Sequence, residues 1–258
     1  MRRWYLPTII VLMMGVLSAC ITPTAEPTLL PPTETATITP TVTATIDWFP
    51  ATATPTLRPT QVIEPTPEMH PGVGSLLIDD LLATGSEWQT GRFSMGNITL
   101  GNDSLTIAIQ QPKASLLSLE TKNTLRDFYL ETKVNIGLCK SNDVYGIIVR
   151  AISEYNYYRF LVDCQGYARA ERVRDGATTL MQDWTPTGLP PGAPLDVSLG
   201  IWVVSSEMRL FANNAFIFSV KDPIFTEGTV GIFARASGDS PVTVSFSEMA
   251  VSFVDASQ

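Results

Sequence analysis

Charge and histidine are scarce in this chain. Only 16% of its 258 residues are Asp, Glu, Lys or Arg, against about 25% in an ordinary soluble domain. Acids outnumber bases, 25 to 17, for a net charge of −8, so the chain carries no general electrostatic footprint for nucleic acid. A single histidine, His70, excludes any site built on two imidazoles and leaves a Ser-His-Asp triad one possible base. The apolar run at residues 6–17 is shorter than the roughly 20 residues of a membrane span. No segment repeats apolar residues at 3.6-residue spacing between caps, so helical folds fall away.

What is present divides into three segments. Residues 1–20, MRRWYLPTIIVLMMGVLSAC, join a positive start at Arg2 and Arg3 to an apolar stretch and small residues, the layout of an export signal. The ending Leu17-Ser18-Ala19-Cys20 resembles a bacterial lipobox, which implies a diacylglycerol on the Cys20 thiol and anchoring to the outer face of a bacterial membrane. At about 0.8 kcal/mol per buried methylene, two or three acyl chains hold stably. An ordinary signal peptide with an incidental cysteine is the alternative.

Residues 21–71 are about half Thr and Pro, a low-complexity composition. Proline removes backbone donors, and large apolar residues are too few to offset chain entropy. The expectation is an extended, disordered stalk reaching on the order of 100 Å. Asp47-Trp48-Phe49 is either a docking bead or a chance cluster within it.

Residues 72–258 alternate with period two between turn signals, which predicts an all-β sandwich of two antiparallel sheets. Leu195, Val197, Leu199, Ile201 and Val203 form the longest such face, and Phe128, Leu130, Val134, Ile136 and Leu138 another. Asn213-Asn214 suits a two-residue type I′ hairpin. A phase slip at Ser247-Glu248 predicts a bulge. Burial of the apolar faces then suggests a register: Ile147 with Ile136, Arg150 with Arg159, and, across a Cys164-Gln165-Gly166 turn, Arg159 with Glu171. That register sets Lys133, Arg150, Arg159 and Glu171 in one cross-strand row, near the acids Glu131 and Asp163. Such a row is either a solvated outer face with salt bridges or the floor of a site for polar, even anionic, groups. Arginine is the usual donor in such sites because its planar fork orients several hydrogen bonds.

The stretches DFYLETKVNI, VYGIIVRAISEYNYYRFLVDCQGYARAERV, LDVSLGIWVVSSEMRLFANNAFIFSVKDPIFTEGTVGIFARA and VTVSFSEMAVSF resemble concanavalin A-like lectin/glucanase domains, most closely the laminin G-like and 3-keto-disaccharide hydrolase-like branch. The resemblance spans residues 75–256 and rests on structural positions rather than a catalytic signature. It implies a jelly roll with one concave sheet, on which members often bind glycans. The alternating acids of its hydrolytic members are missing, since Glu171-Arg172-Val173-Arg174-Asp175 lacks the E-x-D-x-E pattern. Phe246-Ser247-Glu248-Met249 also lacks an acid often found at that place, which weakens the transfer of a calcium site. Asp79-Asp80 either ligates calcium or caps a turn.

With Cys20 lipidated, Cys139 and Cys164 remain, and an exported protein permits a disulfide between them. Two separate thiols are the alternative. Trp88, Trp184 and Trp202 either pack or stack on sugar rings. Trp202 lies opposite the Leu195 to Val203 core face and is expected on an exposed sheet surface, whereas Trp184 falls in a loop. The chain is therefore expected to be a surface lipoprotein presenting a monomeric, non-catalytic glycan-binding domain without metal or cofactor. A glycoside hydrolase or keto-sugar enzyme on the same fold, or a structural envelope module, is the alternative.

Overall fold

The computed structural model describes residues 68–83, 86–239 and 241–255, all within the unit spanning 63–258. The expected leader, Cys20, the stalk up to residue 67 and the Asp47-Trp48-Phe49 bead lie outside the described residues. Among these, fifteen strands form two antiparallel sheets. The nine-stranded sheet runs β13 (Ala215–Lys221), β12 (Glu207–Ala212), β11 (Leu195–Val204), β6 (Phe128–Leu138), β15 (Val242–Val254), β4 (Ser104–Ile109), β3 (Gly96–Leu100), β2 (Gly91–Phe93), and β1 (Val73–Ile78) also pairs with β15. The six-stranded sheet runs β10 (Ala177–Pro186), β9 (Tyr167–Arg174), β8 (Asn156–Asp163), β7 (Val144–Ser153), β14 (Thr229–Arg235), β5 (Ser115–Leu119).

The period-two faces meet between the sheets. Phe128, Leu130, Val134 and Ile136 of β6, Val197 to Val203 of β11 and Val244, Phe246 and Val251 of β15 pack with Ile147 and Val149 of β7 and Phe160 of β8. Leu138, at the end of its run, is half exposed instead. Asn213 and Asn214 turn β12 into β13 at φ 47° and 64°, with Ala212 facing Ala215, as a type I′ hairpin requires. The expected bulge falls between Ser247 and Ala250, with Glu248 at φ 49°. Gly166 turns β8 into β9 at φ 85°, and a Cβ there would lie 2.3 Å from the Leu189 carbonyl oxygen. Cys139 and Cys164 form a disulfide with Cα atoms 5.9 Å apart. It ties the end of β6 to the β8–β9 turn, one sheet to the other.

Two register expectations fail. β6 and β7 do not pair: β6 lies between β11 and β15, and β7 between β8 and β14. The chain crosses from one sheet to the other after β6, and a strand alternates in the same way whichever sheet it joins. Arg150 does not face Arg159 either. The β7–β8 turn begins as expected, with Ser153 opposite Asn156, but a bulge then shifts the ladder so that Ile148 faces Arg159. Arg150 sits in that bulge at φ 51°. Arg159 does pair with Glu171.

The last residues assigned to the stalk are part of the sandwich. The Trp202 indole donates to the Pro71 carbonyl at 3.0 Å, and Arg209 donates to the Met69 carbonyl at 3.0 Å. His70 stacks on Phe211 with centroids 3.8 Å apart and meets the edge of Tyr129. The entering chain thus covers the outer side of β11 and β12. Asp80 caps a turn, its Oδ1 accepting from the amides of Leu82 and Met249 at 2.8 and 3.1 Å.

Candidate functional site

The expected row of four charged residues does not exist. Lys133 belongs to the nine-stranded sheet and pairs with Glu248 at 2.6 Å. Glu131 is on the same strand, its Oε1 accepting from the Ser198 hydroxyl at 2.8 Å. Arg150 is fully buried, donating to the carbonyls of Phe225 and Arg126 at 3.1 and 3.0 Å. Trp202, expected on an open surface, is only 6% exposed, because residues 69–71 cover it and Arg209 lies 4.5 Å over its ring. Trp88 is buried too and donates to the Leu81 carbonyl at 2.8 Å.

Arg159, Glu171 and Asp163 remain together, on the outer face of the six-stranded sheet. Register defines that face. Phe233 of β14 lies opposite Gly146 of β7, Gly146 opposite Leu161 of β8, and Leu161 opposite Arg169 of β9. The neighbouring row runs Gly231, Ile148, Arg159, Glu171, Leu180. On the other side of the Phe233 row, Arg235, Val144 and Asp163 lie in register. A Cβ on Gly146 would lie 1.9 Å from the Phe160 carbonyl oxygen, so this position has no side chain to fill the space beside Phe233.

The polar groups of this face are tightly joined. Glu171, 2% exposed, accepts from Arg159 Nε at 2.6 Å on Oε2, and its Oε1 pairs with Arg169. Arg159 lies 4.7 Å over the Phe233 ring. Arg169 lies 4.7 Å over the Trp184 ring. Trp184 is therefore a strand residue, not the loop residue expected. The β9–β10 ladder skips between Gln182 and Thr185, opposite Arg169, and this irregularity aims the indole onto the sheet face. Asp163 Oδ1 accepts the amides of Gln165 and Tyr167, each at 2.9 Å, and so shapes the hairpin turn. Burial, then the charges of Arg159 and Arg169, lower the pKa of Arg235, against the pull of Glu171.

Over this face opens a cavity of about 510 Å³ lined by Trp184, Arg169, Arg235, Tyr167, Asn142 and Gln165 among others. A ring plane beside guanidinium, amide and phenol groups suits a small polyhydroxylated ligand, since the aromatic face buries apolar C–H surface while the polar groups orient hydroxyls. A larger cleft, about 850 Å³, lies between residues 119–124, the β7–β8 turn and residues 224–229. Its one buried carboxylate, Glu120, is taken up by its own loop. The amides of Lys122 and Asn123 donate to it at 2.9 and 2.8 Å, the Thr229 hydroxyl at 3.1 Å.

Sequence reasoning passed over Arg169 and Arg235. Arg169 was recoverable, because pairing Arg159 with Glu171 places residue 169 on the same face by alternation. Arg235 was not, since its position requires knowing that β14 lies beside β7.

No protein-family model and no curated protein matches the chain. Solved structures match its fold. The carbohydrate binding module CBM66 from Bacillus subtilis is 14% identical with a TM-score of 0.53, over 66% of this chain and 98% of that one. A protein of unknown function with a galectin-like fold, also from Bacillus subtilis, is 12% identical with a TM-score of 0.53, over 71% and 99%. The beta-glucanase of Bacillus licheniformis is 8% identical with a TM-score of 0.50, over 70% and 99%. The described residues thus form a two-sheet jelly-roll sandwich like those of these structures, and at these identities the likeness extends to the fold alone.

Proposed function

We propose that this concanavalin A-like sandwich is a non-catalytic glycan-binding module, exported and held on the outer face of a bacterial membrane through lipidated Cys20. The observation that carries the reading is the Trp184–Arg169–Glu171–Arg159 cluster on the outer face of the six-stranded sheet. It joins an aromatic plane to fixed donors beside an open cavity. That one neighbour of the same fold is a carbohydrate binding module supports the ligand class. Of the residues first expected to bind, Arg159 and Glu171 stay in the proposed site, and Lys133, Arg150 and Trp202 leave it.

Binding is favoured over hydrolysis by the acids. A glycosidase needs two carboxyl groups about 5–9.5 Å apart across its substrate, one of them able to hold and release a proton. Both oxygens of Glu171 are in ion pairs, Asp163 accepts two turn amides, and Glu131 lies in the other sheet. None of these is poised as a general acid.

A glycan array with the full chain, followed by calorimetry on the best hit, tests the reading. Trp184→Ala should cost about 2 kcal/mol of binding, roughly a 30-fold weaker Kd, with the melting temperature nearly unchanged. Unchanged affinity would remove this face from consideration. The anchor is tested separately. Cys20→Ser should abolish detergent-phase partitioning of the exported protein, and an acyl-free mature chain from the unaltered gene, seen by mass spectrometry, would refute lipidation.

A further inference from the structure

We propose that the ligand of this face is an acidic glycan, carrying a carboxylate or a sulfate ester, and that Arg235 binds the anionic group across the cavity from Trp184. This rests on the glycan-binding reading and names the class within it.

Three guanidinium groups, Arg159, Arg169 and Arg235, share the outer face of the six-stranded sheet with two carboxylates, Glu171 and Asp163. Glu171 is saturated by Arg159 and Arg169, and Asp163 Oδ1 accepts two turn amides. Asp143, near the rim, accepts the amides of Lys140 and Ser237 at 2.9 and 2.7 Å. Among the described residues no carboxylate lies within ion-pair reach of Arg235. Arg169 Nε, itself buried, has no hydrogen-bond partner among them either.

Arg235 is nevertheless half-buried and lies on β14, two strands from β8 and three from β9. Three steps across the sheet and two residues along it set its backbone ~16 Å from that of Arg169, and both side chains line the cavity. A third guanidinium held near two others is unfavourable by itself. The burial and like charges that disfavour the charged form of Arg235 are relieved when an anion enters. Arginine matches the planar oxygens of a carboxylate or the oxygens of a sulfate with paired donors. The chain as a whole is acidic, at −8, and repels polyanions in general. An acidic glycan must therefore be held at a local positive site, and this face supplies one.

The experiment uses the full chain and two matched pairs of probes: polygalacturonate with its fully methyl-esterified form, and heparin with its desulfated form. The first pair tests carboxylate and the second sulfate, with the sugar backbone kept. In at least one pair the more highly charged member should bind about tenfold or more tightly, the effect of one charge-assisted hydrogen bond. Arg235→Gln should reduce that preference to within about twofold while leaving the melting temperature in place, and Arg235→Lys should keep part of it. Trp184→Ala should weaken both members of the pair alike, separating sugar stacking from charge recognition. Equal binding of the two members in both pairs, or a preference that Arg235→Gln leaves intact, overturns the acidic-glycan proposal and leaves the glycan-binding reading standing. No binding in any arm, with an empty glycan array, overturns both.

Discussion

Arg150→Ala should destabilise the sandwich by about 3–5 kcal/mol, the loss expected when one partner of a buried charged network is removed. Arg150 is 0% exposed. Its guanidinium holds the carbonyls of Phe225 and Arg126, and Asp127 lies 3.6 Å away. Truncation leaves the buried Phe225 carbonyl and the part-buried Arg126 carbonyl without this donor, takes the cation from beside Asp127, and opens a cavity the size of the side chain, and each of these costs free energy. Arg150→Met fills much of the volume but restores no donor, so it should recover only a minor part. Urea denaturation of the full chain measures the effect as a shift in midpoint. A loss below about 1 kcal/mol would place Arg150 on a solvated surface, as the simple alternating register has it.

Glu171→Ala should have an effect of similar size, about 3–5 kcal/mol, for the opposite reason. It removes the carboxylate to which Arg159 and Arg169 are bound and leaves three guanidinium groups facing one another. The double variant Glu171→Ala with Arg159→Met should then be more stable than the two single losses add up to. Methionine covers the Phe233 ring that Arg159 now covers, and one unpaired charge is gone. A coupling of at least about 1 kcal/mol is expected for groups in direct contact. Simple additivity would mean that the network contributes nothing to holding this face together.

Particular residues show what the sequence made legible and where it stopped. The faces of β11 and β6, the Asn213-Asn214 hairpin, the Ser247-Glu248 bulge and the Cys139–Cys164 pair all follow from local chemistry, and the structure has them. Sheet membership is different. Strands β6 and β7 carry apolar residues at alternate positions whether they pair or face each other, so alternation alone could not separate Lys133 from Arg159. The bulge at Arg150 accompanies hydrogen bonds to partners far along the chain, the carbonyls of Phe225 and Arg126, and no local signal marks it. Trp202 reads as an outward residue, and it is one. What covers it is a stretch 131 positions earlier. Trp184 was hidden for a third reason. Strand β10 is an edge strand with two breaks in its ladder, so it lacks the regular alternation by which the other strands are recognised.

The central claim is that a sugar sits on the outer face of the six-stranded sheet, against Trp184 and between Arg169 and Arg235. Its most direct test is chemical-shift mapping of the labelled full chain titrated with the best glycan from the array. The account predicts that the largest shifts fall on the Trp184 indole and on the amides of Arg169, Tyr167 and Arg235, while the Trp202 indole stays still. Shifts confined to the Asp79–Lys133–Glu248 surface of the nine-stranded sheet, or to the cleft between Glu120 and Tyr155, would contradict it.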